Sequence, residues 1–292
     1  MKHSFLCHTR LYCLLLLVAF SVLTGCQNAS PEEQLSDNNT VLSADGTAIH
    51  YQSAGSSKTT LLFIHCWSCD ISYWDNQFDL FSKYFRVVRL DLAGHGKSSS
   101  NRKNYTIPAF AQDVEAVISK LKLDKVILIG HSIGGSIAVQ TALNVPEKIN
   151  GVIAVDSFET GFKWPKTDQE IAAATKPFEE DFSKTTARLV RSMFKPTADP
   201  GLVNKIAQDM SAAPPAVGNS AFKELLDWIA NYSTAKASLK VPLYHINAKP
   251  DQPITINDHI IYLENVGHFI PQAAPAGFNG AMEQTVAKIL GL

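Results

Sequence analysis

The chain has 292 residues and a formal net charge of −1, with 27 Asp and Glu against 26 Lys and Arg. That balance leaves no broad basic footprint for nucleic acid, and 46% hydrophobic residues excludes an intrinsically disordered chain. The length suits one large domain, with or without an insertion, and can bury a sizeable core.

At the start, "MKHSFLCHTR" carries Lys2 and Arg10, and an uncharged run follows from Leu11 to Gly25. The run is shorter than the roughly 20 residues a membrane span needs and fits the core of a signal peptide. It ends in Leu23-Thr24-Gly25-Cys26, which resembles the lipobox of bacterial lipoproteins. The resemblance implies a signal peptide over 1–25, an acylated Cys26 as first mature residue, and a membrane attachment through that lipid. The expected location is the cell envelope, facing the periplasm or the exterior. Gln27, where Asp would retain the protein at the inner membrane, leans towards the outer membrane in a Gram-negative cell. Residues 26–39 are polar and without apolar periodicity, as a flexible tether would be. Of five cysteines, Cys7 and Cys13 would leave with the signal and Cys26 would take the lipid, so only Cys66 and Cys69 remain in the folded part. One pair is compatible with a disulfide in an export-side compartment but cannot be a stapled scaffold.

From residue 40, short β-rich runs alternate with helical patterns. "TVLSADGTAIHYQ" reads as two strands joined at Asp45-Gly46, and "TTLLFIH" as a buried strand ending at His65. "ISYWDNQFDLFSKY" has helical spacing, and "FRVVRLD" is again a strand. "TIPAFAQDVEAVISKLKL" puts Phe110, Val114, Val117, Ile118 and Leu121 on one helical face. "KVILIG", "GSIAVQTALNVP" and "INGVIAVD" follow as strand, helix and strand. Strands that are apolar all along, alternating with helices, predict a mostly parallel sheet covered on both faces. The rhythm breaks after Asp156. Residues 157–239 read as helical and include Phe158, Phe162, Trp164, Phe178, Phe182 and Trp228, whereas "VPLYHIN", "HIIYLEN" and a last helix restore the alternation. The expected organisation is a core of 40–156 and 240–292 with a helical cap inserted at 157–239.

"ILIGHSIGGS" carries the strongest chemical signal. Gly130-x-Ser132-x-Gly134 follows an apolar strand and opens a helix, the context a nucleophile elbow requires. "DLAGHGKSS", from Asp91 to Ser99, and "VGHFIPQAAPAGFN" stand before and after it. With these three motifs in this order, the chain over residues 40–292 resembles the α/β-hydrolase superfamily. The resemblance implies an α/β-hydrolase fold with an inserted helical cap, and a serine hydrolase working through an acyl-enzyme on small to medium hydrophobic carboxylic esters. Ser132 would be the nucleophile and His268 the base. Asp251 matches the commoner position and is the expected acid, with Asp156, at an alternative position, as the alternate; both precede His268, so chain order does not choose between them. His131, His95, His65, His50, His245 and His259 read as structural or solvent-facing, His131 pointing away from the serine across the turn.

"FIHCWSCD", read alone, resembles a thiol–disulfide redox motif. After the third core strand, however, the family carries a His-Gly-x loop whose x amide pairs with the amide after the nucleophile to form the oxyanion hole. By that resemblance the donors are Trp67 and Ile133, with Cys66 in place of the glycine. Whether Cys66 and Cys69 are bridged is open at this stage. No metal or organic cofactor is expected, since no His, Cys, Asp or Glu cluster has zinc or calcium spacing. The expected partner is a small ester-type molecule. Thioester, amide or carbon–carbon hydrolysis on the same triad, or a non-catalytic small-molecule receptor on the same fold, are the competing readings.

Overall fold

The computed structural model describes residues 39–252 and 257–292. The expected signal peptide, the acylated Cys26 and nearly all of the tether lie outside the described residues.

Eight strands form one sheet in the order β1-β2-β4-β3-β5-β6-β7-β8. They are β1 (Thr40–Leu42), β2 (Ala48–Ala54), β3 (Thr60–Ile64), β4 (Arg86–Leu90), β5 (Val126–His131), β6 (Ile149–Val155), β7 (Leu243–Ala248) and β8 (Ile260–Leu263). β1 pairs with β2, and β2 with β4, antiparallel; every later pairing is parallel. The central strands bury both faces. Leu62 and Ile64 of β3 join Leu128 of β5 and Val152 of β6 in one core, under Phe110, Val114 and Ile137. Leu61 and Phe63 join Ile127, Ile129 and Ile153 in the other, under Trp74, Phe81, Phe278 and Met282. Successive side chains leave a strand on opposite faces, so a strand covered on both sides must be apolar throughout.

The helices supply the two layers. α1 (Asp75–Phe81) follows a 3₁₀ turn at Ile71–Trp74, where a single helix was expected. Asp70 caps that turn by accepting from the Ser72 amide at 2.8 Å, which starts the chain tightly before it relaxes into the α form. α2 (Ile107–Lys120) begins on Thr106, whose hydroxyl accepts from the Ala109 amide, with Pro108 in the first turn. α3 (Ile133–Asn144) runs from the elbow.

The cap is inserted between β6 and β7. It consists of α4 (Asp168–Glu180), α5 (Phe182–Ser192), α6 (Pro200–Ser211), α7 (Pro215–Ile229) and α8 (Tyr232–Ser238). A capping box between Thr167 and Glu170 starts α4, and Asp181 and Asp199 cap α5 and α6. The cap is fastened to the core by hydrogen bonds as well as apolar contact. Trp228 Nε1 donates to Gln140 Oε1 at 3.0 Å, and the Tyr105 amide to Ser220 Oγ at 3.0 Å. The chain closes with α9 (Ile270–Ala273) and α10 (Pro275–Leu290).

Candidate active site

Ser132 sits between β5 and α3 with φ 57° and ψ −119°, a conformation that L residues rarely adopt. Holding it costs on the order of 1–3 kcal/mol, which the surroundings must offset. They do so through the Ser132 amide, which donates to Val155 O at 2.9 Å, and through Ser132 O, which accepts from the Gly135 amide at 2.9 Å. The flanking glycines are required by close approach. A Cβ on Gly134 would lie 2.5 Å from Ile64 O, and one on Gly130 would overlap the Gly134 carbonyl. Without side chains there, the first turn of α3 presses against the end of β3.

That contact sets the start of α3, with Ile133, against the Ile64 and His65 carbonyls, two residues before Trp67, the other expected oxyanion donor. Ile133 is the first residue of α3, so its amide is among those that have no partner within the helix. Across from it, Cys66 and Cys69 are joined by a disulfide, and the Cys69 amide donates to Cys66 O at 3.2 Å. The four residues form a closed turn, with Ser68 at φ 55°. Such a turn uses the amide of its fourth residue and leaves that of its second, here Trp67, out of its own hydrogen bonding. His65 holds the turn from beneath. Its Nε2 accepts from the Leu92 amide at 3.0 Å, so Nδ1 carries the proton and donates to Cys66 O at 2.7 Å. Burial pushes the His65 imidazole below its ordinary range, which fits that neutral form. The bridged cysteines are themselves buried, Cys66 at 1% and Cys69 at 5% exposure, unlike an accessible redox pair.

His268 lies in the loop between β8 and α9. Its amide donates to Met193 O of the cap at 2.9 Å, and its Nδ1 donates to Asp156 Oδ2 at 2.7 Å. With the proton on Nδ1, Nε2 keeps its lone pair. Asp156 is held in turn: its φ is 44°, its amide donates to Ile246 O, and its Oδ1 accepts from the Ala248 amide at 2.9 Å.

Asp251, the first choice for the acid, is not brought to His268. Its side chain is 91% exposed and pairs with Lys195 Nζ at 2.7 Å. Sheet register gives the reason. Val155 pairs with Ile246, so Asp156 emerges level with the end of β7, and its left-handed turn sends the carboxylate to that rim. Asp251 comes three residues after β7 has ended and has already left the rim.

His131 packs beneath the histidine loop. Its Nε2 donates to His268 O at 2.9 Å, and the two imidazole rings stand 4.7 Å apart. Burial, reinforced by the neighbouring His268, keeps it neutral and well below the usual histidine range. It therefore supports the loop that carries His268. No sequence pattern announced this contact, because it joins residues 137 apart. His95 and His50 are structural as well. His95 Nδ1 donates to Ala93 O, and burial pushes that ring down to about 3. His50 Nδ1 lies 2.9 Å from Asp91 Oδ2, whose carboxylate also accepts the Ile71 and Lys97 amides. Among the described residues no group of three His, Cys, Asp or Glu side chains is arranged to hold a metal ion.

Residues 59–232 match the family described as "alpha/beta hydrolase fold". Among curated proteins, the chain is 36% identical over 120 residues to the pimeloyl-[acyl-carrier protein] methyl ester esterase of Wigglesworthia glossinidia brevipalpis, covering 40% of this chain and 44% of that one. It is 30% identical over 131 residues to the dihydrolipoyllysine-residue acetyltransferase component of the acetoin cleaving system of Cupriavidus necator, covering 45% of this chain and 33% of that one. The chain thus spans less than half the length of either relative. Among solved structures, an esterase from Exiguobacterium antarcticum superposes with a TM-score of 0.73 at 19% identity, covering 86% of this chain and 98% of that one. That likeness is one of fold.

Proposed function

The chain belongs to the α/β-hydrolase family, and from that premise we propose that it is a serine hydrolase of carboxylic esters with Ser132, His268 and Asp156 as its triad. One observation carries the reading: the loop after β8 brings His268 Nδ1 to within 2.7 Å of Asp156, the residue after Val155, whose carbonyl accepts from the amide of the strained Ser132.

The reaction follows from the contact between His268 Nδ1 and Asp156. His268 Nε2 takes the Ser132 proton as Oγ attacks the acyl carbonyl, and Asp156 stabilises the imidazolium that forms. The carbonyl electron pair moves onto oxygen, which accepts hydrogen bonds from the amides of Trp67 and Ile133; each such donor is worth about 3 kcal/mol. His268 returns the proton to the departing alcohol, leaving an acyl-serine. Water then attacks by the same route and releases the acid. The substrate class is supported by the cap, whose Phe178, Phe182 and Phe222 surround the Trp67 ring at 5.3–5.7 Å and give the site an apolar neighbourhood. Small to medium hydrophobic esters suit it.

The proposal also takes residues 40–156 and 240–292 as the catalytic core, 157–239 as the cap, and Cys26 as a lipid anchor in the cell envelope. The Leu23–Cys26 pattern supports the anchor, and the Cys66–Cys69 disulfide fits an oxidising compartment. Among the described residues no helix is long and apolar enough to cross a membrane. The test is turnover of p-nitrophenyl butyrate. Ser132→Ala should abolish it, and a wild-type rate in that variant would defeat the assignment.

A further inference from the structure

Trp67 is held at two levels. Its backbone lies inside the turn that the Cys66–Cys69 disulfide closes and that His65 Nδ1 pins at Cys66 O. Its side chain leaves the core. The indole Nε1 donates to Gly218 O on α7 at 2.8 Å, across 151 residues of chain. Its ring packs against Phe178 of α4, Phe182 of α5 and Phe222 of α7, and is 5% exposed. α7 has no slack at that point. A Cβ on Gly218 would overlap the Phe182 ring and come within 3.4 Å of Ser68 Oγ, so the helix backbone rests directly on the turn.

We propose that Trp67 is a positioning residue as well as an oxyanion donor: the cap, gripping its indole, sets where its amide stands, and the disulfide keeps the turn from yielding between the two. The inference rests on the ester-hydrolase reading above and deepens it. An ordinary loop would absorb a small shift of the side chain in its own dihedrals. A four-residue turn closed covalently transmits that shift to the amide. The cap thereby acts on transition-state stabilisation as well as on substrate enclosure. An ester that seats without disturbing α7 keeps both oxyanion donors in register, whereas one that displaces α7 loses part of that stabilisation.

The test uses the full chain and the Trp67→Phe variant. Phenylalanine keeps the backbone amide and an aromatic ring among the cap phenylalanines, and it removes the donor to Gly218 O together with part of the indole's bulk. The readouts are kcat and KM for p-nitrophenyl butyrate, and the affinity of a trifluoromethyl ketone, which adds to the serine hydroxyl and places an oxyanion where the tetrahedral intermediate would. Displacing a donor without deleting it should lower kcat about 10-fold, with KM within about twofold and ketone affinity down by the same factor as kcat. A merely structural role would lower the melting temperature and leave kcat and ketone affinity in place; that result overturns the proposal.

The Cys66→Ala/Cys69→Ala variant provides a second reading. Because each clamp works only while the other holds, adding Trp67→Phe to it should cost little beyond the larger of the separate losses. Losses that multiply would mean independent action and would also overturn the proposal. Ser132→Ala, run alongside, separates the two levels. Turnover that survives in it removes the esterase reading, whereas turnover that needs Ser132 but ignores both Trp67→Phe and loss of the bridge removes this inference alone.

Discussion

His268 donates through Nδ1 to Oδ2 of Asp156 at 2.7 Å, although 112 residues, including the whole cap, separate them in the chain. That bond puts the proton of a neutral His268 imidazole on Nδ1, and of the two aspartates proposed for the acid only Asp156 makes it. Asp156→Asn should lower kcat by about 10³–10⁴-fold, because an amide in that place favours the wrong tautomer and cannot stabilise the imidazolium. Asp251→Asn, which removes only an exposed partner of Lys195, should leave kcat within about twofold, as exposed ion pairs contribute little. Steady-state kinetics on the two variants side by side checks this.

The histidine loop is set by the cap as well as by Asp156. His268 N–H reaches Met193 O at 2.9 Å, and the preceding Gly267 lies so close to Met193 that an added Cβ would overlap its carbonyl. Gly267→Ala should therefore shift the imidazole and cost up to about 10²-fold in kcat, in line with the effect of ångström-scale misplacement. The same variant should still fold, as judged by circular dichroism, because Gly267 is only half-buried and lies in a loop between β8 and α9.

Acid should destabilise the fold through its buried neutral histidines. Burial, with the nearby Lys236 charge adding, pushes His245 down to about 4. Its unfolded value is about 6.5, so between those limits the unfolded chain binds more protons and stability falls as pH falls. The contribution is fully present above about pH 6.5 and is lost on the way down to about 4, a difference on the order of 3 kcal/mol for His245 alone. Thermal melts from pH 7.5 to 4.5 should show a falling Tm, with a shallower slope in His245→Gln. An unchanged slope would remove His245 as a contributor.

Attachment to the membrane should depend on one side chain. In cells fed a labelled fatty acid, the wild-type chain should take up label and partition into detergent. Cys26→Ser should do neither. Label retained by that variant would reject the anchor.

The fold was largely legible because a two-faced parallel sheet imposes uninterrupted apolar strands such as Leu61–Ile64 and Ile127–Ile129, and few other architectures do. Ser132 was legible because its conformation demands small neighbours at fixed spacing, which Gly130 and Gly134 supply. The acid was not. Asp156 and Asp251 both follow strands, and only the register of β6 on β7 tells which one stays at the rim. The support from His131 was hidden for a related reason: the strand before the elbow and the histidine loop meet only in three dimensions. Cys66, which departs from the family's glycine, obscured the loop in sequence. In the fold its bridge to Cys69 closes the turn that frees the Trp67 amide.

The central claim is that Ser132 is a nucleophile activated by His268 and Asp156. Intact-mass spectrometry after exposure to a fluorophosphonate tests it most directly. One adduct per chain is expected, mapped by peptide sequencing to Ser132, absent in Ser132→Ala and formed far more slowly in His268→Gln and Asp156→Asn. Labelling at another residue, or at an unaltered rate when His268 is replaced, would contradict it.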